Sequence, residues 1–543
     1  MKLKRVLIEK RQILINFECS GFILQFQYCV IRIENLQIKG AQLRVNKSPS
    51  LTQMEIQQLN PQNNQQIPAN VQKIAYRANI LFFNEDPYFK ETQEDALTFY
   101  KDGLLVLDLE KGTVIEAGNY EEMRAKHASV LISEEYKDKL IMPGFIDCHT
   151  HYPQTEMICS FASSLVNWLN TYTFPTEEQF KDINYAKKIS QFYLNELLKN
   201  GTTTALVFAT IHPESVAALF DEAIRLNMRI ITGKTMMNRN APEFLQDTVE
   251  GSYRDSLDLI QSYHNVGRCL YSITPRFAPT STQDQLNVAG QLKHQFPDTY
   301  IHTHLNENLQ EVDWVKSLFP ESENYLDVYD KSNLVHKHSV FAHCVHCTQP
   351  ELDKMKQIQC GVAYCPTSNG FLGAGMFPYH QAVQNGINFG MGTDVGGGTD
   401  FGMLRTLQDA YKFIMVSQQH VENRRPMTSF EGFYRATLGG CKALSLEHKI
   451  GKFLPGYEAD FVVLDWCVND IQRLRFENIE KRASTTQQST ATSESLKLST
   501  IKPGDDKYLL QDKLFGLMMM GDSNNVYSTH LAGIKRYQRG NKI

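Results

Sequence analysis

From Lys139 onward one rhythm repeats: a short apolar run, then a longer stretch with amphipathic helical spacing. The apolar runs are Ile141–Asp147, Thr204–Phe208, Arg229–Thr232, Leu270–Arg276, Tyr300–His304, Val340–His343, Gly361–Cys365 and Phe389–Asp394. Helical patterns separate most of them, as at Ala186–Leu198 and Pro213–Leu226. Strands that alternate with helices pair in parallel, and eight such units in succession predict an α/β chain with a closed (β/α)8 TIM-like barrel over 141–448.

The flanks follow a different pattern. Ile74–Phe83, Leu104–Leu109 and Thr113–Ala117 read as strands, with Gly103 and Gly112 marking turns of an antiparallel sheet. Near Gly451 the sheet pattern returns. GKFLPGYEADFVVLDW reads as two short strands around a Pro-Gly turn, and Val526–Tyr537 alternates like a strand. Residues 73–140 and 449–543 are therefore expected to form one small β-sandwich domain from segments before and after the barrel. Thr52–Pro68 is rich in Gln and Asn, and Ala483–Ser499 in Ser and Thr. Such stretches bury too little apolar surface to fold alone. They predict a poorly ordered extension with a linker over 1–72 and a disordered insertion near 480–503. The basic start, Met1–Arg11, and the apolar Ile13–Ile33 look like a weak leader or anchor. Asn16, Glu18, Gln25 and Gln27 break that run, and no small-residue cleavage site is clear, so an extension is expected and no membrane association.

Charge narrows the function classes. The formal charge is -5, against a dedicated nucleic-acid binder, which needs a basic surface. The 11 cysteines form no regular framework, which predicts reduced thiols and a cytoplasmic protein.

His149-Thr150-His151 comes directly after the first barrel run. Alternate residues of an extended segment point the same way, so two imidazoles can converge on one ion. His304, His343 and Asp394 fall at the ends of other runs, and barrel active sites are built at the C-terminal ends of strands. Taken singly, each is as well explained as a core histidine or a capping aspartate. Together they predict a catalytic zinc held by His149, His151, His304 and Asp394, with one position open to water. Cys344-Val345-His346-Cys347 looks like a zinc or redox element, but no second CxxC completes a structural zinc site. Cys148 alternates away from the histidines and is expected to pack in the core.

Four further residues suggest a planar heterocycle as substrate. Gln154 can offer a donor and an acceptor to a ring edge. Arg276 could hold a carbonyl oxygen, Phe277 could stack on a ring, and Glu307 lies close enough to His304 to exchange protons beside the metal. A surface salt bridge for Arg276 and ordinary core packing for Phe277 explain the spacing equally well.

PGFIDCHTH, IHTHLNE, FAHC and MGTDVGGG occur in the order seen in the amidohydrolase superfamily. The subtype this chain resembles implies one zinc per subunit and a catalytic place for His343 beside the water. The bridging lysine of two-metal subtypes is replaced here by Thr274-Pro275-Arg276. HTHYPQTEM, TYTFPTE, GTTTALVFATIHPES, TPRFAPT, HTHLNEN and CPTSN closely resemble the guanine deaminases of that superfamily. The resemblance spans roughly Ile141–Leu464 and resumes more loosely over Asp512–Arg536. It implies hydrolysis of guanine to xanthine and ammonia. Glu307, His343 and Asp394 would be catalytic, and Gln154, Arg276, Phe277, His304, Glu307 and Asp394 would contact substrate. It also implies a cytoplasmic homodimer. One alternative is a barrel deaminase or chlorohydrolase acting on adenine-type, cytosine or triazine rings; Arg276 argues for a substrate carbonyl, which adenine lacks, and a substrate panel separates the rest. Another is a non-catalytic scaffold, which should have lost the ligands that this sequence keeps.

Overall fold

The computed structural model describes residues 72–161, 165–417, 425–486 and 506–540. All of the described residues fall within one compact unit. The expectations for the N-terminal extension and its linker lie outside the described residues.

The small sheet begins with β1 (Lys73–Phe83), β2 (Leu97–Asp108), β3 (Thr113–Asn119) and β4 (Leu131–Pro143). The barrel follows as β5 (Phe145–His151), β6 (Thr202–Phe208), β7 (Arg229–Gly233), β9 (Leu270–Pro275), β10 (Tyr300–Leu305), β11 (Ser339–His343), β12 (Gly361–Tyr364) and β13 (Asn388–Met391). A two-residue β8 (Thr235–Met236) pairs with β9. The barrel strands are parallel and lie in the order β13-β12-β11-β10-β9-β7-β6-β5. The seam between β5 and the residues after β13 is closed by hydrogen bonds. Asp394 N–H donates to His149 O at 2.8 Å. Asp147 accepts from Thr393 N–H at 3.0 Å and from Thr393 Oγ1 at 2.5 Å. A buried carboxylate thus ties together the first and last strands that carry the site.

The helices cover the barrel for the usual reason. Ile183–Lys199 buries Ala186, Ile189, Ser190, Tyr193, Leu194, Leu197 and Leu198, a stripe at three- and four-residue spacing. Asp182 caps its start by accepting from Asn184 N–H.

One expected boundary moves. Ile141–Asp147 reads as a single barrel strand but is split at Gly144. Residues up to Pro143 belong to the small sheet, and Phe145–His151 starts the barrel. A Cβ on Gly144 would lie 2.1 Å from Thr203 Oγ1, so a glycine is needed where the chain crosses from sheet to barrel. His149 and His151 consequently sit within the strand rather than after it.

After the barrel come β14 (Phe461–Asp465), β15 (Val526–Leu531) and β16 (Ile534–Gln538). The small sheet has the order β16-β15-β14-β4-β1-β2-β3, so the segments before and after the barrel meet at β4 and β14. It folds over an apolar cluster that includes Ile74, Tyr76, Ile80, Phe82, Phe461 and Val463. That folding brings Gly112 against Ala532, where a Cβ would sit 2.7 Å from the Ala532 Cβ. Two readings of this region are corrected. GKFLPGYEADFVVLDW holds one strand, because residues before Phe461 give their backbone groups to the β2–β3 turn region: Val114 N–H donates to Tyr457 O and Ala459 N–H to Gly112 O. Val526–Tyr537 is a hairpin rather than one strand, turning at Ala532 (φ 51°) and Gly533 (φ 80°). The polar tract expected near 480 starts inside the helix Asp470–Thr486, and residues 487–505 lie outside the described residues.

Candidate active site

His149 and His151 leave β5 on the same side, with their Nε2 atoms 3.2 Å apart. Asp394 Oδ1 lies 3.1 Å from His149 Nε2 and 3.3 Å from His151 Nε2. Ring nitrogens of His149, His151 and His304 all fall within 4.8 Å of one another. Ligand atoms about 2.0–2.1 Å from a tetrahedral zinc would stand about 3.4 Å apart, so the His149–His151–Asp394 edges have the spacing such an ion requires.

The chemistry of the donors agrees. Burial pushes His149 below its ordinary range, His304 well below it and His151 down to about 3. Burial thus disfavours the imidazolium form, which could not ligate a metal. Burial works against the charge of Asp394, but the neighbouring His149 and His151 hold its carboxyl well below the usual range. Outer partners fix the rings. His304 Nδ1 donates to Arg276 O at 2.7 Å, which leaves Nε2 bare. His149 Nδ1 lies 2.8 Å from His302 Nε2. Cys365 Sγ also comes within 4.8 Å of His149 and His343 nitrogens. Its thiol donates to Ala363 O, and burial pushes it well above its ordinary value, which disfavours the thiolate a metal would need.

His343 ends β11 with φ at 71°, in the left-handed region that a non-glycine residue rarely adopts. Its Nδ1 lies 2.9 Å from Asn369 Oδ1, which can only accept. In the neutral imidazole Nε2 is then the bare nitrogen, and it is buried with no hydrogen-bond partner among the described residues. It lies 3.8 Å from Glu307 Oε2 and 3.9 Å from Asp394 Oδ2. The Glu307 carboxyl is pushed up to about 8, by burial first and then by the charge of Asp394, with Arg276 opposing. Glu307 can thus hold a proton at neutral pH next to the ligand cluster.

The expected residues meet in one cavity. His151, Gln154, Arg276, Phe277, His304, Glu307, His343 and Asp394 line it, with Trp168, Leu169, Leu372 and Gly397. His149 lies beneath, fully buried. Arg276 is not on the surface. Its Nη1 makes a buried ion pair with Glu177, at 2.9 Å to Oε1 and 2.7 Å to Oε2. The same Oε1 accepts from Gln154 Nε2 at 3.2 Å. Phe277 faces His304 at a ring-centroid distance of 6.4 Å.

Several functional candidates were not found from the sequence. His302-Thr303-His304 repeats the HxH spacing of β5, and that signal could have found His302. Glu177 lies 99 residues from Arg276, so only the fold reveals the pair. Trp168 is buried on the cavity wall, and its Nε1–H has no partner among the described residues. Such a donor suits a ligand acceptor. The two decoys stay apart from the site. Cys344 donates to Phe341 O, Cys347 accepts from Asn306 Nδ2 and His346 pairs with Ala374 O, while Cys148 Sγ turns to Gly440 O.

Residues 140–494 match the amidohydrolase family. The guanine deaminase of Escherichia coli (strain K12) is 45% identical over 444 residues, covering 82% of this chain and 93% of that protein. The solved structure of E. coli guanine deaminase superposes with a TM-score of 0.75 at 43% identity, covering 86% of this chain and 99% of that one. A guanine deaminase from C. acetobutylicum, solved with guanine bound in its active site, gives a TM-score of 0.72 at 27% identity, covering 86% of this chain and all (100%) of that one.

Proposed function

Because the chain belongs to the amidohydrolase family and, within it, to the guanine deaminases, we infer that it hydrolyses guanine to xanthine and ammonia. The observation that carries the inference is a single cavity that joins a metal-ligand cluster to the polar edge of Arg276 and Gln154. We assign the metal as one zinc per subunit. Held by His149, His151, His304 and Asp394, it would supply Lewis acidity, which lowers the pKa of water to about 7.

The chain's own groups then divide the work. Asp394, ionised, takes the proton of the attacking water. His343 accepts a hydrogen bond from that water at Nε2 and so aims it. Glu307, protonated near neutrality, gives its proton to the ring nitrogen beside the carbon that bears the amino group. That carbon becomes electrophilic and the water oxygen adds to it. The proton held by Asp394 passes to the amino group, the C–N bond breaks and ammonia leaves, while the proton of the added hydroxyl returns to Glu307 as the new carbonyl forms. Gln154 and Arg276 hold the far edge of the ring, Arg276 by donating to the carbonyl. A site built to pair such a group rejects analogues that lack it far better than an apolar pocket could.

Cytoplasmic residence, a role in purine catabolism and a homodimeric state are part of the same reading. The cysteine usage and the resemblance support the first two, and light scattering on the purified protein tests the third. Among the described residues, no helix is long and apolar enough to cross a membrane. The central experiment measures ammonia release from guanine, adenine, cytosine and a triazine, with metal content determined on the same sample. Faster release from any ring without a carbonyl would overturn the substrate assignment.

A further inference from the structure

The helix Phe174–Glu178 brings two residues to Arg276 from successive turns. The Phe174 ring centroid lies 5.6 Å from Arg276 Cζ, and Glu177 holds Nη1. The Glu177 side chain is 1% exposed and that of Arg276 5%. Glu177 does not line the cavity; it stands behind Arg276 and Gln154, which do. Both of its carboxylate oxygens serve those two residues. Among the described residues, the Nε and Nη2 groups of Arg276 make no hydrogen bond, so they are the donors left for a ligand. The Gln154 amide is fixed at its nitrogen and closely confined at its oxygen. Its Nε2 donates to Glu177, and its Oε1 rests against Gly396, where a Cβ would sit 1.9 Å away. Turning the amide over would set its oxygen against the carboxylate.

We propose that Glu177 is the positioning residue for substrate selection, orienting Arg276 and Gln154 together so that the cavity accepts a ring edge bearing a carbonyl and rejects one bearing an amino group. The proposal rests on the guanine reading and specifies how that site discriminates. Two physical effects support it. The carboxylate neutralises Arg276, which otherwise would place an unpaired charge in a desolvated cavity that also takes a metal cation. It also removes the rotational freedom of both side chains before the substrate arrives, so that freedom is not lost on binding.

The informative comparison is between guanine and 2,6-diaminopurine, which carries the same amino group at the attacked carbon but an amino group in place of the carbonyl. Glu177→Gln keeps shape and removes charge. It should lower kcat/KM for guanine by about 10²-fold, chiefly through KM, while metal content stays at the wild-type level. The loss for 2,6-diaminopurine should be less than about threefold. Combined with Arg276→Met, the Glu177→Gln change should cost clearly less than it does alone, because a large part of its effect runs through Arg276. Equal losses for the two rings, or additive losses in the double variant, would overturn the proposal. If the Gln variant does not fold, Glu177→Asp keeps the charge but withdraws it by one methylene, and the same selective rise in KM decides. A wild-type protein inactive on guanine would instead refute the guanine reading. The coupling between positions 177 and 276, measured on the ring it does turn over, would still decide the positioning role.

Discussion

His304 does two things at once: its bare nitrogen faces the ligand cluster, and its Nδ1 is committed to Arg276 O at 2.7 Å. On the proposed assignment, replacing it with alanine removes a ligand from a site with few to spare. His304→Ala is expected to lose bound metal and turnover together, checked by metal analysis of the folded variant. His302 acts one step further out, through His149 Nδ1. His302→Ala should leave activity recoverable at saturating zinc but weaken metal affinity by about 10–100-fold, as loss of an orienting partner usually does. A zinc titration against a chelator measures this. Glu307→Gln should retain metal and lose about 10²–10⁴-fold in kcat, because it keeps the shape and removes the proton; rapid-quench turnover on metal-replete protein tests it. The histidines and acids at the ends of apolar runs were legible because the metal and the barrel place the same demand on them. Trp168 was not, because nothing in its local sequence distinguishes a cavity residue from a core residue; Glu177 ends the TYTFPTE motif, but its partner lies 99 residues away and only the fold pairs them.

At the scale of elements, the barrel delivers these groups through ends of strands that leave regular geometry. Asn306, His343 and Asp394 have φ of 51°, 71° and 50°, unusual values for non-glycine residues. The loop after Asp394 adds a glycine that is sterically required. Gly396 has φ at 114°, and a side chain there would collide with Gln154 Oε1. Gly396→Ala should therefore displace Gln154, raising KM for guanine by at least about tenfold with metal content unchanged; steady-state kinetics beside metal analysis would show it. The apolar runs located each strand well, yet not where one sheet gives way to the next. Ile141–Asp147 is one apolar run in sequence. What divides it is pairing: Ile141 lies opposite Val463 in the small sheet, and Phe145 opposite Thr202 in the barrel.

At the scale of the whole molecule, that residues before and after the barrel share one sheet was legible from their matching strand patterns. How the sheet is fastened to the barrel was not, because the fastening uses charges that look like surface residues hundreds of positions apart. Arg268 Nη1 lies 2.8 and 2.7 Å from the two Asp460 oxygens and 2.9 Å from Glu458 Oε2, and Arg229 also pairs with Glu458. The Arg268 and Asp460 side chains are 10% and 4% exposed. Arg229 opens β7 and Arg268 lies just before β9, at the barrel end away from the active site. Removing one partner of a buried pair costs about 3–5 kcal/mol, because the other is left charged and uncompensated. Arg268→Ala should lower the apparent unfolding temperature, at fixed scan rate, by several degrees, while metal content and kcat of the folded protein stay near wild type. The pH dependence identifies the cause. Burial raises the Asp460 carboxyl and Arg268 opposes that rise, so in the variant the folded-state value stands well above the unfolded one. A carboxyl raised in this way favours the folded state at low pH and loses that advantage as pH rises through its folded value. The deficit relative to wild type should therefore be largest near neutrality and shrink as the pH is lowered to where Asp460 takes up a proton. A deficit that stays constant between pH 7 and pH 5 would show that Arg268 holds the two parts together by packing its alkyl chain rather than by its charge.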